Sequence, residues 1–134
     1  MFSLGKCRYG CQNVFYKNKP LVLDFVNCKC TSDINIVTNK HYIRLELSDS
    51  LLQFVQELDS FCKREIFGYR SMIDQGSILV KLPYRYKRYE IDFNNLSGSD
   101  VLVKDSVVSG TLEGVGVFQH ESAYLFSFKL SALS

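Results

Sequence analysis

The 134-residue sequence has no tryptophan, two prolines (Pro20 and Pro83) and two alanines (Ala123 and Ala132). Alanine favours helices, while β-branched and aromatic residues suit a pleated surface. So few alanines beside ten Phe and eight Tyr argue for a mainly β chain rather than a helical bundle. Long apolar runs are also missing. No segment approaches the roughly 18 apolar residues of a membrane-spanning helix. The opening MFSLGKCRYGC lacks the continuous apolar stretch of a secretory signal. The five cysteines are odd in number and nothing suggests export, so the expectation is reduced thiols in an intracellular protein, in cytoplasm or nucleus, not secreted.

A strong charge of one sign is absent as well, since the net charge is +2. The distribution says more than the total. Residues 1–20 hold Lys6, Arg8, Lys17 and Lys19 without an acid, and read as a basic arm or an irregular first strand. Residues 78–93 hold Lys81, Arg85, Lys87 and Arg88 against Glu90 and Asp92. Local positive charge is what a binding stripe requires. With 46% hydrophobic and 22% charged residues the chain is composed like a globular protein, and its length fits a single domain, 1–134, around one core.

Periodicity supplies the elements. Leu21–Val26 reads as a strand followed by a turn region through Cys28–Ser32. Ile34–Val37 is a short strand that pairs across Thr38–Lys40 with His41–Leu47. In the latter, Ile43, Leu45 and Leu47 alternate with Tyr42, Arg44 and Glu46, the pattern of a half-buried strand with a polar outer face. One helix is predicted from about Leu51 to Lys63, capped by Ser50, with Leu51, Phe54, Val55, Leu58, Phe61 and Cys62 on one stripe. A linker around Asp74–Ser77 leads to a strand at Ile78–Leu82, which Pro83 interrupts. Tyr84–Phe93 resumes the period of two, Asn94–Asp100 is a turn-rich loop and Val101–Val108 a broken strand. Thr111–Phe118 and Ala123–Leu130 form a closing hairpin across Gln119–Ser122.

A sheet of this size must close or be covered to protect its edges. One helix cannot cover both faces, so the expected fold is mainly β with one central helix, an OB-fold-like small barrel with the helix at one end. An open α+β sandwich is the alternative.

The run Lys81-Leu82-Pro83-Tyr84-Arg85-Tyr86-Lys87-Arg88-Tyr89 concentrates three tyrosines and four cations. A continuous strand would put Tyr84, Tyr86 and Arg88 on one face and Arg85, Lys87 and Tyr89 on the other. Cations neutralise phosphates and exposed rings stack on unpaired bases, so this surface suits single-stranded nucleic acid with little sequence preference. Tyr42 and Arg44, on the polar face of the earlier strand, extend it. The plainer reading is an edge strand whose cations discourage aggregation.

The helix, the apolar strand with its LPYR-type basic segment (Ile78–Phe93) and the Gly-rich closing hairpin (Thr111–Leu130) resemble the small OB-fold single-stranded DNA-binding proteins of viruses and phages. That resemblance implies a non-catalytic DNA-binding role in replication, with Tyr84, Arg85, Tyr86, Lys87, Arg88 and Tyr89 facing the ligand. Many such proteins end in an acidic tail, whereas this sequence ends in KLSALS. Small modules of this kind gain affinity by assembling, which makes a homo-oligomer compatible with the reading.

Other chemistry is weakly provided for. Cys7-x3-Cys11 and Cys28-x-Cys30 supply four thiols, enough in number for a zinc site, but neither pair has the usual two-residue spacing. Unligated cysteines are therefore expected, and no cofactor. His41 and His120 sit at predicted strand ends with no nucleophile motif nearby, so no enzyme is expected. Gly110, Gly114 and Gly116 lack the Lys-Ser/Thr of a phosphate loop and instead suggest bends or close backbone contact. The alternative function is a protein-interaction or structural module, virus-encoded in one version, that binds through an exposed sheet surface with Phe118, Tyr124 and Phe126 as candidates.

Overall fold

In the computed structural model the described residues, 1–93 and 99–134, form twelve strands and one α-helix. In chain order these are β1 (Phe2–Arg8), β2 (Cys11–Tyr16), β3 (Lys19–Pro20), β4 (Val22–Cys30), β5 (Asn35–Val37) and β6 (Lys40–Glu46), then α1 (Asp49–Glu65). There follow β7 (Ile73–Asp74), β8 (Ser77–Leu82), β9 (Tyr84–Arg85), β10 (Arg88–Tyr89), β11 (Val107–His120) and β12 (Ala123–Leu133). The expected loop at Asn94–Asp100 lies outside the described residues as far as position 98. The described residues are mainly β with one helix, as the composition of the sequence implies.

Five of these strands pair in a circuit: β4 with β6, β6 with β8, β8 with β12, β12 with β11, and β11 back to β4. All of these pairings are antiparallel except β8 with β12. Two seams are short, Lys29↔Glu46 and Cys30↔Leu45 at one, Phe128↔Val80 and Lys129↔Lys81 at the other, so the sheet is partly closed. Inward residues of every strand in the circuit, among them Phe25, Ile43, Val80, Leu112 and Phe128, meet in one buried cluster.

Strand β11 belongs to two neighbours on the same edge. Val107–Glu113 pairs with β4, and Val117 and Phe118 pair with β2. The change of partner occurs at a bulge between Gly114 and Gly116. Gly116 has φ 134°, a conformation open to glycine, and any side chain there would strike Cys11 and the Gln12 carbonyl. A Cβ on Gly110 would collide with the Ala132 carbonyl oxygen. These glycines therefore mark close backbone contact, as expected.

The helix differs from expectation in its start and its place. Ser48, not Ser50, is the N-cap, and its carbonyl accepts the Leu52 N–H without a side-chain cap bond. Because β6 ends at Glu46, the chain is free to turn two residues earlier than the apolar stripe alone suggests. In chain order α1 lies between the second and third strands of the circuit, whereas the OB-fold places its helix between the third and fourth. Val55, Leu58, Phe61 and Cys62 are buried in the common core.

Of the two readings of residues 1–20, the structure has the strand. β1 and β2 form a hairpin, irregular between Leu4 and Cys7, whose turn is Tyr9-Gly10. Phe2 and Tyr16 pack against Phe54 of α1, with centroids 5.5 and 5.2 Å away, and Phe2 also meets Phe61 at 5.6 Å. Burying these rings holds the basic segment against the helix. Three smaller corrections have similar causes. β4 runs on to Cys30 because Cys28 and Cys30 point inward and pair with Val108 and Leu45. The Asp74–Ser77 linker is the tight turn joining β7 to β8. The strand expected at 101–108 is instead a 3-10 turn, Ser99–Val101, and β11 starts only at Val107.

Candidate functional site

The segment expected to continue as one strand through Tyr84–Phe93 instead folds back on itself. Tyr86 (φ 53°) and Lys87 (φ 62°) both take the left-handed conformation of a two-residue hairpin turn. Pairing across that turn sets Tyr84 opposite Tyr89 and Arg85 opposite Arg88. The faces are therefore regrouped: the two tyrosines share one side and the two arginines the other. Pro83 at the end of β8 withdraws a ladder donor just where this reversal begins.

The tyrosine side is anchored. The Tyr84 ring stacks on His41 with centroids 4.2 Å apart and planes 20° from parallel, and Tyr89 meets both edge-on. The Tyr89 hydroxyl lies 2.8 Å from His41 Nδ1, at hydrogen-bond distance. Burial, and secondarily the neighbouring Tyr84, push the Tyr89 phenol above its ordinary range, so it stays neutral. Aromatic pairs of this geometry contribute about 0.5–1.5 kcal/mol each beyond the area they bury. His41, expected only as a strand-end residue, thus fastens the hairpin to β6. Its odd-numbered phase with buried Ile43 and Leu45 is the signal that points inward.

The arginine side is exposed. Arg85 and Arg88 face each other directly, an arrangement that costs stability unless an anion lies between them. Tyr86, at the tip, is 83% exposed, with the Arg85 guanidinium 5.4 Å from its centroid. On the adjoining outer face of the sheet, Tyr42 is paired with Lys81, Arg44 with Leu79, and Lys81 in turn with Lys129. Tyr42 is half-buried, which raises its phenol pKa and keeps it neutral. Arg44 donates to Ser77 Oγ at 3.2 Å. Lys129 has Glu113 at 3.6 Å, but Lys81, Arg44, Arg85, Lys87 and Arg88 have no ion-pair partner among the described residues. All nine candidate positions therefore gather on and beside the β6–β8 ladder, although not in the two faces predicted.

The other sequence candidates disperse. Cys28 and Cys30 are buried on β4, where burial raises both thiols, while Cys7 and Cys11 lie on the N-terminal hairpin. Among the described residues no three His, Cys, Asp or Glu side chains are grouped to hold a metal ion. Phe126 is in the core, Phe118 is half-buried, and Tyr124 is partly exposed beside Gly68.

A shallow cavity of about 720 Å³ lies elsewhere, lined by Asp59, Ser60, Lys63, Tyr69, Arg70 and Ser122 among others. Its buried carboxylate is already occupied. Asp59 accepts from the Tyr69 hydroxyl at 2.6 Å, from the Ser71 hydroxyl, and from the Met72 N–H at 3.3 Å. These bonds tie the loop after α1 to the helix and leave that carboxylate little capacity for chemistry. No helix is long and apolar enough to cross a membrane among the described residues. No family model, curated protein or solved structure matches the chain.

Proposed function

We propose that the chain binds single-stranded nucleic acid, DNA in the first instance, without catalysis and with little sequence preference. The observation that carries this reading is the Arg85–Arg88 cross-strand pair beside exposed Tyr86, anchored through the His41–Tyr84–Tyr89 cluster and lacking any carboxylate partner among the described residues. Guanidiniums kept apart from carboxylates are available to phosphates, and a ring at a turn tip offers its face to a base. Tyr42, Lys81 and Lys129 continue the basic, aromatic surface along the sheet.

The strand circuit supports the same reading. OB-folds bind oligonucleotides on the face of their second and third strands and on the loops that join strands one to two and four to five. With the circuit strands taken in chain order, the second and third are β6 and β8, which carry Tyr42, Arg44 and Lys81. The displaced helix is a departure from that fold, so the likeness lies in the strands. Assembly into a homo-oligomer would multiply the contacts along one strand.

The test is fluorescence anisotropy of a labelled oligo-dT, with duplex as competitor, at several salt concentrations. Binding should weaken steeply with salt, at a log–log slope near −0.7 per phosphate contacted. The variant R85E/K87E/R88E should keep its fold and lose at least about two units of that slope together with most of its affinity. Unchanged affinity in the folded variant would refute the site. Failure of the wild type to bind at low salt would leave the protein-interaction reading in its place.

A further inference from the structure

We infer that the turn of the N-terminal hairpin is a second grip on the same nucleic-acid strand, an inference that rests on the reading above. The two tips share one design. Arg8-Tyr9-Gly10-Cys11 and Arg85-Tyr86-Lys87-Arg88 are both two-residue hairpin turns that open with Arg-Tyr. Tyr9 (φ 52°) and Tyr86 (φ 53°) are the only aromatic residues in the left-handed region among the described residues. Asn, Asp and Gly suit that region, and a bulky ring there is uncommon. Core packing explains neither ring, since Tyr9 is 103% and Tyr86 83% exposed.

Charge and mounting match as well. Lys6 and Arg8 beside Tyr9 are exposed and have no ion-pair partner among the described residues. The base of the hairpin is fixed by the Phe2 and Tyr16 rings against α1, so the tip is displayed from a docked frame.

Register separates the tips. The first leaves the sheet where Cys11 pairs with Phe118, which is opposite Leu125. The second continues from Leu82, which the parallel register sets level with Leu130. Those levels differ by five residues of β12, about 17 Å, and the tips project from opposite ends of the sheet. A short oligonucleotide reaches one tip, whereas a long one reaches both and gains from the tethered second grip.

The experiment compares the full chain with R8E/Y9N, in which asparagine keeps the left-handed turn, on oligo-dT of about 8 and about 30 nucleotides, a range that spans one- and two-tip binding. Thermal unfolding of the variant should match wild type. Its affinity for the short oligonucleotide should also match, while affinity for the long one falls about tenfold and the salt slope shrinks by about 0.7 for each phosphate released from the tip. Wild-type affinity on the long oligonucleotide, or an equal loss on both lengths, would overturn the second grip and leave the first intact. If wild type binds neither length, both readings fall.

Discussion

Two polar clusters in this molecule treat their charges in opposite ways. In the C-terminal half of α1, Asp59 is 8% exposed and takes three donors from the loop that follows the helix. Beside β8, Arg85, Lys87, Arg88 and Lys81 stand on the anchored hairpin and the sheet with no carboxylate to meet them among the described residues. A buried charge must be satisfied within the fold or the fold fails, so the first cluster is structural. Exposed cations need nothing from the fold, and holding several together costs some stability through repulsion. The difference separates polar groups that build the protein from those it presents outward.

Perturbing each cluster separately sharpens that contrast. Alkaline pH should act on the first. Burial pushes the Cys62 thiol from 9.0 to about 12, and Tyr69 is likewise raised, by burial and then by its hydrogen bond to Asp59. Both groups hold their protons more tightly when folded, so their contribution is complete below pH 9 and erodes as pH climbs toward 12. For Cys62 the loss amounts to about 4 kcal/mol by the end of that range. Urea unfolding between about pH 8 and pH 11 should show the decline, and a flatter one in Cys62→Ala. An equally steep decline in the variant would assign the effect to other groups.

Next in size is Asp59→Ala, which removes the acceptor for three donors and should cost about 3 kcal/mol. Oligonucleotide affinity well below the unfolding midpoint should not change. A loss of binding in the folded variant would mean that the two clusters are coupled. The smallest effect expected is that of Tyr86→Asn. Affinity should fall by about 1–3 kcal/mol as the stacking surface is removed. Stability should stay level or rise by up to about 1 kcal/mol, because asparagine accepts the left-handed turn more readily than tyrosine. A loss of stability without a loss of affinity would make Tyr86 a structural residue.

Much of the frame is legible in the sequence. Alternation in His41–Leu47 marks β6 and its buried side, the i, i+3, i+4 stripe marks α1, and the closing hairpin pairs as its pattern suggests, with a shorter turn. The basic, tyrosine-rich run is also visible, but its two faces are not. A period of two assumes a straight strand, and nothing in Tyr-Lys advertises a turn whose usual signature is Asn-Gly. The N-terminal hairpin is ambiguous for a related reason: its aromatic residues Phe2 and Tyr16 find their partner, Phe54, on a helix far along the chain, out of reach of any local pattern.

The sequence by itself therefore determined the class of the fold, the placement of most elements and the places where positive charge and rings collect, because period, composition and charge are local properties. Only the tertiary structure decided which of those rings are anchors and which are presented. It set Tyr84 and Tyr89 against His41, a residue more than forty positions away, and turned Arg85, Arg88 and Tyr86 outward. That choice depends on which strands pair across the sheet, and pairing is fixed by burial of the whole core rather than by any one segment.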